Sequence, residues 1–491
     1  MSGTVNCDVV CWDTETSDTD VRHGQIFDFA AVTSNLTDLV ETGSRSVRIR
    51  RLSYCIPAYG ALSTNSLDPY DLDGPERLDE FTAAAAIHEA LSPVRGRPLV
   101  VLGYNILSFD EEMARSLFFR NLLDPYPTSA KGVRRFDLLP AARLAHALDP
   151  VSFPAGADDE GGVSFRLERI APANGIRLRA HDALEDTRAT LALARRIREA
   201  VPAAWDTALR ASDRYEAERV FDQASRRGEP VWIMTGGNSP ILEAVLPVSK
   251  EGRMLLSLRA DRVEEALRDG HEAVAAAEWK GGPLVRCRTN RMPILLSKSD
   301  ALALQKHHPQ AFAVSVEAVD GPGPGWADFK ARLADLSARA DPWADPPDPT
   351  AEERIYSGFT SWAEKETMQR FRLAGSWFER AGMVRLFGDR RVREFAARAV
   401  VEHGGLTPLE LVEAAGQSMA DEIADLADVA FERPFASEGA RWMTIARARI
   451  EGRHDDRFRT WLEDLATPVA PLPPPGFEGE ADRRGQLGWS F

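Results

Sequence analysis

The rhythm of apolar and polar positions changes twice along this chain. Up to about residue 198, short apolar runs alternate with stretches of helical period, the pattern of an α/β unit. Val9-Val10-Cys11-Trp12 reads as a strand, and "RPLVVLGYN" (97–105) as a buried one. The stretch "SFDEEMARSLFFRNLL" (108–123) predicts a helix, with Ser108 and Glu111 spaced as a capping box. A second helix is predicted over "HDALEDTRATLALARRIREA" (181–200), capped by Asp182. The glycine- and acid-rich "PAGADDEGG" (154–162) reads as a loop.

From Pro230 the runs "PVWIM", "EAVLPV", "MLLSLRAD" and "PLVRCRTN" look like strands parted by Gly, Asn and Pro, with a helical stretch near 262–277. A mixed unit built on a small barrel or sheet follows. "DPWADPPDPT" (341–350) is the clearest linker. Beyond it, 351–466 is helical in pattern, and the Pro- and Gly-rich tail 467–491 is expected to be disordered.

The first strand raises a chemical question, because it runs straight into Asp13 and Glu15. Positions two apart share a strand face, so both acids fall on the face of Val9 and Cys11. Asp110 has the same inward placement relative to Met113, Ala114 and Leu117, and Asp186 relative to Ala183, Thr190, Leu193 and Ile197. Singly, each has a plain explanation: a solvated loop, a first-turn acid, or a pair with Arg188 or Arg195. Together they form a set of inward carboxylates without matching Lys or Arg, and unpaired buried carboxylates are costly. Divalent metal answers this, since Mg²⁺ and Mn²⁺ prefer oxygen ligands and two such ions need several carboxylates. His181, five residues before Asp186, is placed to act as a general base.

Composition narrows the classes. The 491 residues favour several domains, and 44% hydrophobic residues suffices for packed cores. A net charge of −15 argues against coating nucleic acid through bulk positive charge, leaving room only for a local basic groove. No apolar run approaches a membrane span, and no secretory leader pattern opens the chain. Cys7, Cys11, Cys55 and Cys287 have no zinc spacing and suit a reducing, cytoplasmic compartment. The basic residues Arg115, Arg120, Lys131, Arg134, Arg135 and Arg143 are interleaved with aromatics, which predicts a track for a single strand. Phe118 and Phe119 read as core, and Tyr126 as the better stacking candidate.

"DTE" (13–15), "GYNILSFD" (103–110) and "HDALED" (181–186) resemble the three motifs of the DEDD superfamily of 3′ exonucleases, and His181-x₄-Asp186 resembles its histidine branch. "GYNILSFDEEMARSLFFRNLLDPY", "SFRLERIAPANGI" and "AHDALEDTRATLALA" are similar to the bacterial exodeoxyribonuclease I family, with fainter likeness through 284–296 and 353–368. The resemblance implies an α/β ribonuclease H-like exonuclease domain (8–198), an SH3-like α+β domain (202–345) and a C-terminal all-helical domain (351–466). It implies two-metal 3′→5′ hydrolysis of single-stranded DNA in repair and recombination, with two Mg²⁺ ions for which Mn²⁺ substitutes. Asp13, Glu15, Asp110 and Asp186 would be the metal-site carboxylates, and His181 the base. Glu15, Arg115, Tyr126, Arg143 and Arg166 would touch the strand. Single-stranded DNA-binding protein, through its C-terminal tail, is the implied partner of a monomeric enzyme. A 3′ exoribonuclease of the same superfamily and a non-catalytic single-strand clamp are the alternatives. The chain departs from the family at Ser17-Asp18, where an aromatic and a glycine are usual, and at Pro127-Thr128-Ser129-Ala130, where relatives carry more aromatics.

Overall fold

A computed structural model describes residues 7–94, 97–178, 182–276, 282–338, 349–432, 448 and 451–466. The tail 467–491 and most of the 341–350 linker lie outside these residues, as does His181.

The first unit is built on a five-stranded sheet of order β3-β2-β1-β4-β5. Its strands are β1 (Asp8–Thr16), β2 (Ile26–Asn35), β3 (Gly43–Arg48), β4 (Leu99–Gly103) and β5 (Val133–Asp137). The pairs β1–β2 and β2–β3 are antiparallel, while β4 and β5 run parallel to β1. Parallel central strands are covered on both faces, which is why Val9-Val10-Cys11-Trp12 is apolar without alternation: each is 8% exposed or less.

The helix Ala183–Ala200 packs across β1 and β2, burying Leu191, Leu193, Ala194 and Ile197. Asp182 caps it as expected, accepting from the backbone N–H of Leu184 and Glu185 at 3.0 and 3.1 Å. The helix Asp110–Arg120 is buried along its whole length, charged residues included. The expected capping box at its start does not form. Asn105 takes a left-handed turn (φ 60°) that draws the Ser108 hydroxyl back onto Asn105. Glu111 turns inward to Arg135.

The second unit forms its four predicted strands and a short fifth, Leu295–Leu296, that the apolar pattern does not predict. Val231–Thr235, Ile241–Glu251, Met254–Arg259, Leu284–Arg288 and Leu295–Leu296 form a second five-stranded sheet, with every pair antiparallel. Helices Val263–Asp269 and His271–Ala276 fill the predicted helical stretch. From Trp362 onward the described residues are mainly helical: Trp362–Leu373, Trp377–Met383, Arg390–Gly404, Pro408–Ala415 and Gln417–Glu432. A final helix, Asp456–Ala466, returns to the first unit, where Phe458 meets Tyr59 at 5.1 Å and Arg51 lies 5.6 Å over Trp461.

Candidate active site

β1 is longer than its parallel neighbour. The β1–β4 register ends at Cys11↔Leu102, and β4 stops at Gly103. Asp13 and Glu15 therefore project past the carboxyl end of β4, still held on their other side by Ala30 and Asp28 of β2. The strand does not end before the acids, so solvation by an early loop is excluded. Gly103 is required where the chain turns away: a Cβ there would stand 2.8 Å from the Trp12 carbonyl oxygen and 2.2 Å from Ile106. Asp137 secures that turn from below, accepting from the backbone N–H of Asn105 at 2.8 Å and of Leu107 at 3.3 Å.

Around this strand end the four predicted acids converge. Ligand oxygens of Asp13, Glu15 and Asp186 lie within 4.8 Å of one another. Asp110 stands beside them, accepting from the Thr14 hydroxyl at 2.5 Å. Asp110 and Asp186 both sit in first helical turns, where the helix N-terminus favours negative charge. That help is not enough. Burial, with the charges of Asp110, Glu15 and Asp186, holds Asp13 well above the usual carboxylate range. Burial, then Asp186 and Asp28, pushes Glu15 up to about 8. Burial raises Asp110 to about 7 against the opposing Thr14 bond.

Among the described residues, no Lys or Arg ion-pairs with Asp13, Glu15 or Asp110. A donor set made only of carboxylate oxygens, resisting ionisation for want of a cation, fits a hard divalent metal.

The predicted strand-contact residues are placed less uniformly. Arg143 is half-buried beside Phe165, 5.9 Å from guanidinium carbon to ring centre, and burial lowers its pKa; among the described residues no acid pairs with it. Arg166 precedes the helix Leu167–Ala173 with its side chain 80% exposed. Tyr126 is partly exposed. Arg115 is buried, its guanidinium taken by Glu112 at 2.9 Å and Glu111 at 3.4 Å.

The expected basic track across 115–143 needs correction. Arg115, Arg120 and Arg135 all point into the protein, where Glu112, Glu80 and Glu111 neutralise them. Of that run, Lys131 and Arg134 are exposed and Arg143 half-exposed. Phe118 and Phe119 are core, as expected.

Sequence reasoning missed Thr14 and Asp137. Asp137 is visible as a helix cap before "LLP", since it accepts from Leu139 N–H at 3.0 Å. Its grip on the Asn105 turn has no local signal.

No family model matches the chain. Among curated proteins it is 28% identical over 361 residues to exodeoxyribonuclease I of Haemophilus influenzae, covering 69% of this chain and 74% of that one. It is 26% identical over 339 residues to exodeoxyribonuclease I of Escherichia coli, covering 64% and 68%. The fold matches a crystal structure of E. coli exonuclease I in complex with a dA16 oligonucleotide, with TM-score 0.72, 20% identity and coverage of 94% and 98%. The fold also matches a zinc-bound E. coli exonuclease I–single-stranded DNA complex (TM-score 0.69) and an SSB/exonuclease I structure with an inhibitor (TM-score 0.67), each at 19% identity over 94% and 98%. In sequence over about two thirds of its length and in fold over nearly all of it, this chain resembles bacterial exodeoxyribonuclease I.

Proposed function

We propose that this chain is a 3′→5′ exodeoxyribonuclease that degrades single-stranded DNA to 5′-mononucleotides by metal-dependent phosphodiester hydrolysis. The observation that carries the reading is the convergence of Asp13, Glu15 and Asp186 at the end of β1, with Asp110 beside them. A binding clamp has no use for four costly inward acids, and all four are retained.

Asp13, Glu15, Asp110 and Asp186 would hold two Mg²⁺ ions, with Mn²⁺ able to substitute. Bound metal supplies the positive charge that lets these acids ionise together, activates water and stabilises the oxygen that leaves. The chain's own residues do the rest. His181 precedes the Asp182 cap and, by the resemblance, takes the proton of the attacking water. Arg166, exposed at its helix start and 4.0 Å from the Glu168 carboxylate, would turn to meet the 3′-terminal nucleotide. Arg143 offers a half-buried guanidinium to a phosphate, which would compensate its desolvation. Arg115 acts at one remove, its guanidinium 5.6 Å from the Tyr126 ring centre.

The ribonuclease H-like character of 8–198, the SH3-like character of 202–345 and the all-helical character of 351–466 belong to the same proposal. They are supported by the two sheets, the helical region and the coverage of the structural match. So do a role in DNA repair and recombination, monomeric action, and single-stranded DNA-binding protein as partner, which the SSB/exonuclease I match supports. Among the described residues no helix is long and apolar enough to cross a membrane.

The test is a time course on 5′-labelled single-stranded DNA with Mg²⁺, with EDTA, and with Asp186→Ala. Stepwise shortening in Mg²⁺ alone is expected, with circular single strands resistant. Cutting of circles defeats the exonuclease reading, and preference for a matched RNA strand favours the exoribonuclease.

A further inference from the structure

The turn that delivers Asp110 is not closed by the first unit alone. Asp137 holds the backbone N–H groups of Asn105 and Leu107, and the N–H of Glu111 donates to the Ile106 carbonyl at 2.9 Å. The Leu107 carbonyl, three residues before Asp110, is taken by Arg291 Nη1, 184 residues further along the chain. The next residue, Met292, reaches Asp137 itself: its sulfur accepts from the Asp137 backbone N–H at 3.4 Å. Both contacts come from the second unit.

The segment that makes them is firmly mounted. It follows the strand Leu284–Arg288 as a single helical turn, Thr289–Arg291, and both of its flanks are tied down. Thr289 donates its N–H to the Arg253 carbonyl at 2.9 Å and its hydroxyl to Glu218 at 3.2 Å, while the Ile294 carbonyl accepts from the Met234 N–H at 3.1 Å. Met292 takes φ 49°, a left-handed conformation that is costly for a residue with a side chain. Asn105, across the contact, does the same at φ 60°. Met292 and Ile294 are buried in the core that also holds Leu102, Ile106 and Leu107. Arg291 is half-buried, burial lowers its pKa, and among the described residues no carboxylate ion-pairs with it. A cation meant only for solvent or strand phosphate has no reason to give an N–H to a backbone carbonyl at this turn.

We infer that Arg291 is a positioning residue for the proposed hydrolysis: from the second unit it fixes the Leu107 carbonyl, and with it the turn that decides where Asp110 presents its carboxylate. Met292 acts alongside it through Asp137. The inference rests on the exonuclease reading and adds a requirement to it, that the acid site of the first unit is complete only with the second unit docked. Arg291 touches none of the four acids and acts through one peptide group and three residues of chain. Groups that orient the ligands of a metal from outside in this way commonly govern how well the metal is held, because the ligand oxygens must sit within a fraction of an ångström of their places.

The test uses the full chain carrying Arg291→Met, which keeps the aliphatic stem and removes the donor, Arg291→Lys, which returns a donor, or Met292→Leu, which removes the sulfur at nearly constant volume. Mn²⁺ binding is titrated without strand, single-turnover hydrolysis is followed in Mg²⁺, and strand affinity is measured in Ca²⁺ across a range of salt. Arg291→Met is expected to weaken Mn²⁺ binding by about tenfold to a hundredfold and to lower the single-turnover rate with it. KM and the salt slope should stay at their parent values, and Arg291→Lys should restore most of the loss. Met292→Leu should move both quantities the same way by less; if Arg291→Met does not fold, parent values in Met292→Leu overturn the inference. Parent-level Mn²⁺ affinity and rate in a folded Arg291→Met overturn it too, whatever the melting midpoint does. A loss confined to strand affinity, with a shallower salt slope, also overturns it and puts Arg291 on a strand phosphate. A parent protein that binds no Mn²⁺ and shortens no strand would remove the exonuclease reading itself, and the inference with it.

Discussion

Removing metal should make the stability of this protein fall as pH rises, against the usual behaviour of acids that gain partners on folding. Glu15 is raised in the folded chain from 4.5 to about 8, and Asp110 from 3.8 to about 7. Below about pH 4.5 Glu15 is protonated both folded and unfolded and contributes no pH dependence. Between there and about pH 8 the folded state keeps a proton the unfolded state has lost, so folding weakens with every unit. At about 1.4 kcal/mol per unit, Glu15 alone accounts for about 5 kcal/mol by pH 8. Asp110 pulls the same way, and because its charge helps raise Glu15, we take the single-group figure for the site. For a unit of this size that is a fall of roughly 10–20 °C in midpoint. The assay is calorimetry in EDTA from pH 5 to 8.5, following the transition that Mg²⁺ or Mn²⁺ moves. Added metal should restore the midpoint most at the alkaline end, and Glu15→Gln should flatten the EDTA profile. A midpoint that stays level from pH 5 to 8 without metal, or a Glu15→Gln profile parallel to the parent, would refute the reasoning.

Three further outcomes follow from the same geometry. His181→Ala should lower turnover by roughly two to four orders of magnitude while strand binding in Ca²⁺ stays near the parent value; single-turnover rates across pH 6 to 9 would check this, with less than about tenfold loss counting against a base. Arg143→Ala should reduce the dependence of log affinity on log salt by about one phosphate contact, and an unchanged slope places Arg143 off the strand. Glu80→Ala removes the carboxylate that takes Arg120 at 2.8 and 2.9 Å and Asn121 at 2.8 Å. It should cost about 3–5 kcal/mol in denaturant titration by stranding a buried guanidinium; a loss below about 1 kcal/mol would show that water reaches Arg120.

The acid site was legible because its logic is local to each element. Two-residue spacing puts Asp13 and Glu15 on one strand face, and helical period turns Asp110 and Asp186 inward, so each placement needs only its neighbours in sequence. The basic run was misread for the opposite reason. Arg120 meets Glu80 from another helix, and Arg135 reaches back from β5 to Glu111, pairings that a string of letters cannot announce. The capping box failed because Asn105 claimed Ser108 first. Four of the five strands of the second sheet were read from their runs, the two-residue Leu295–Leu296 being too short to show a period, whereas the meeting of Tyr126 with Phe359 joins segments far apart in the chain and left no trace in periodicity.

The way the acids are dispersed also bears on what happens while the chain is being made. Asp13 and Glu15 emerge almost at once, but Asp110 follows far later, and Asp186 only after more than a third of the residues have been joined. Domains fold as they leave the ribosome, at about 5–20 residues per second. For roughly ten seconds or more after the first strand appears, a nascent chain owns only half a site, its two acids solvated and ionised but without the partners that complete the cluster. A prematurely terminated product shorter than Asp186 is in the same condition. On the proposed function, strand cutting therefore waits until the helix that carries the last carboxylate has docked on β1.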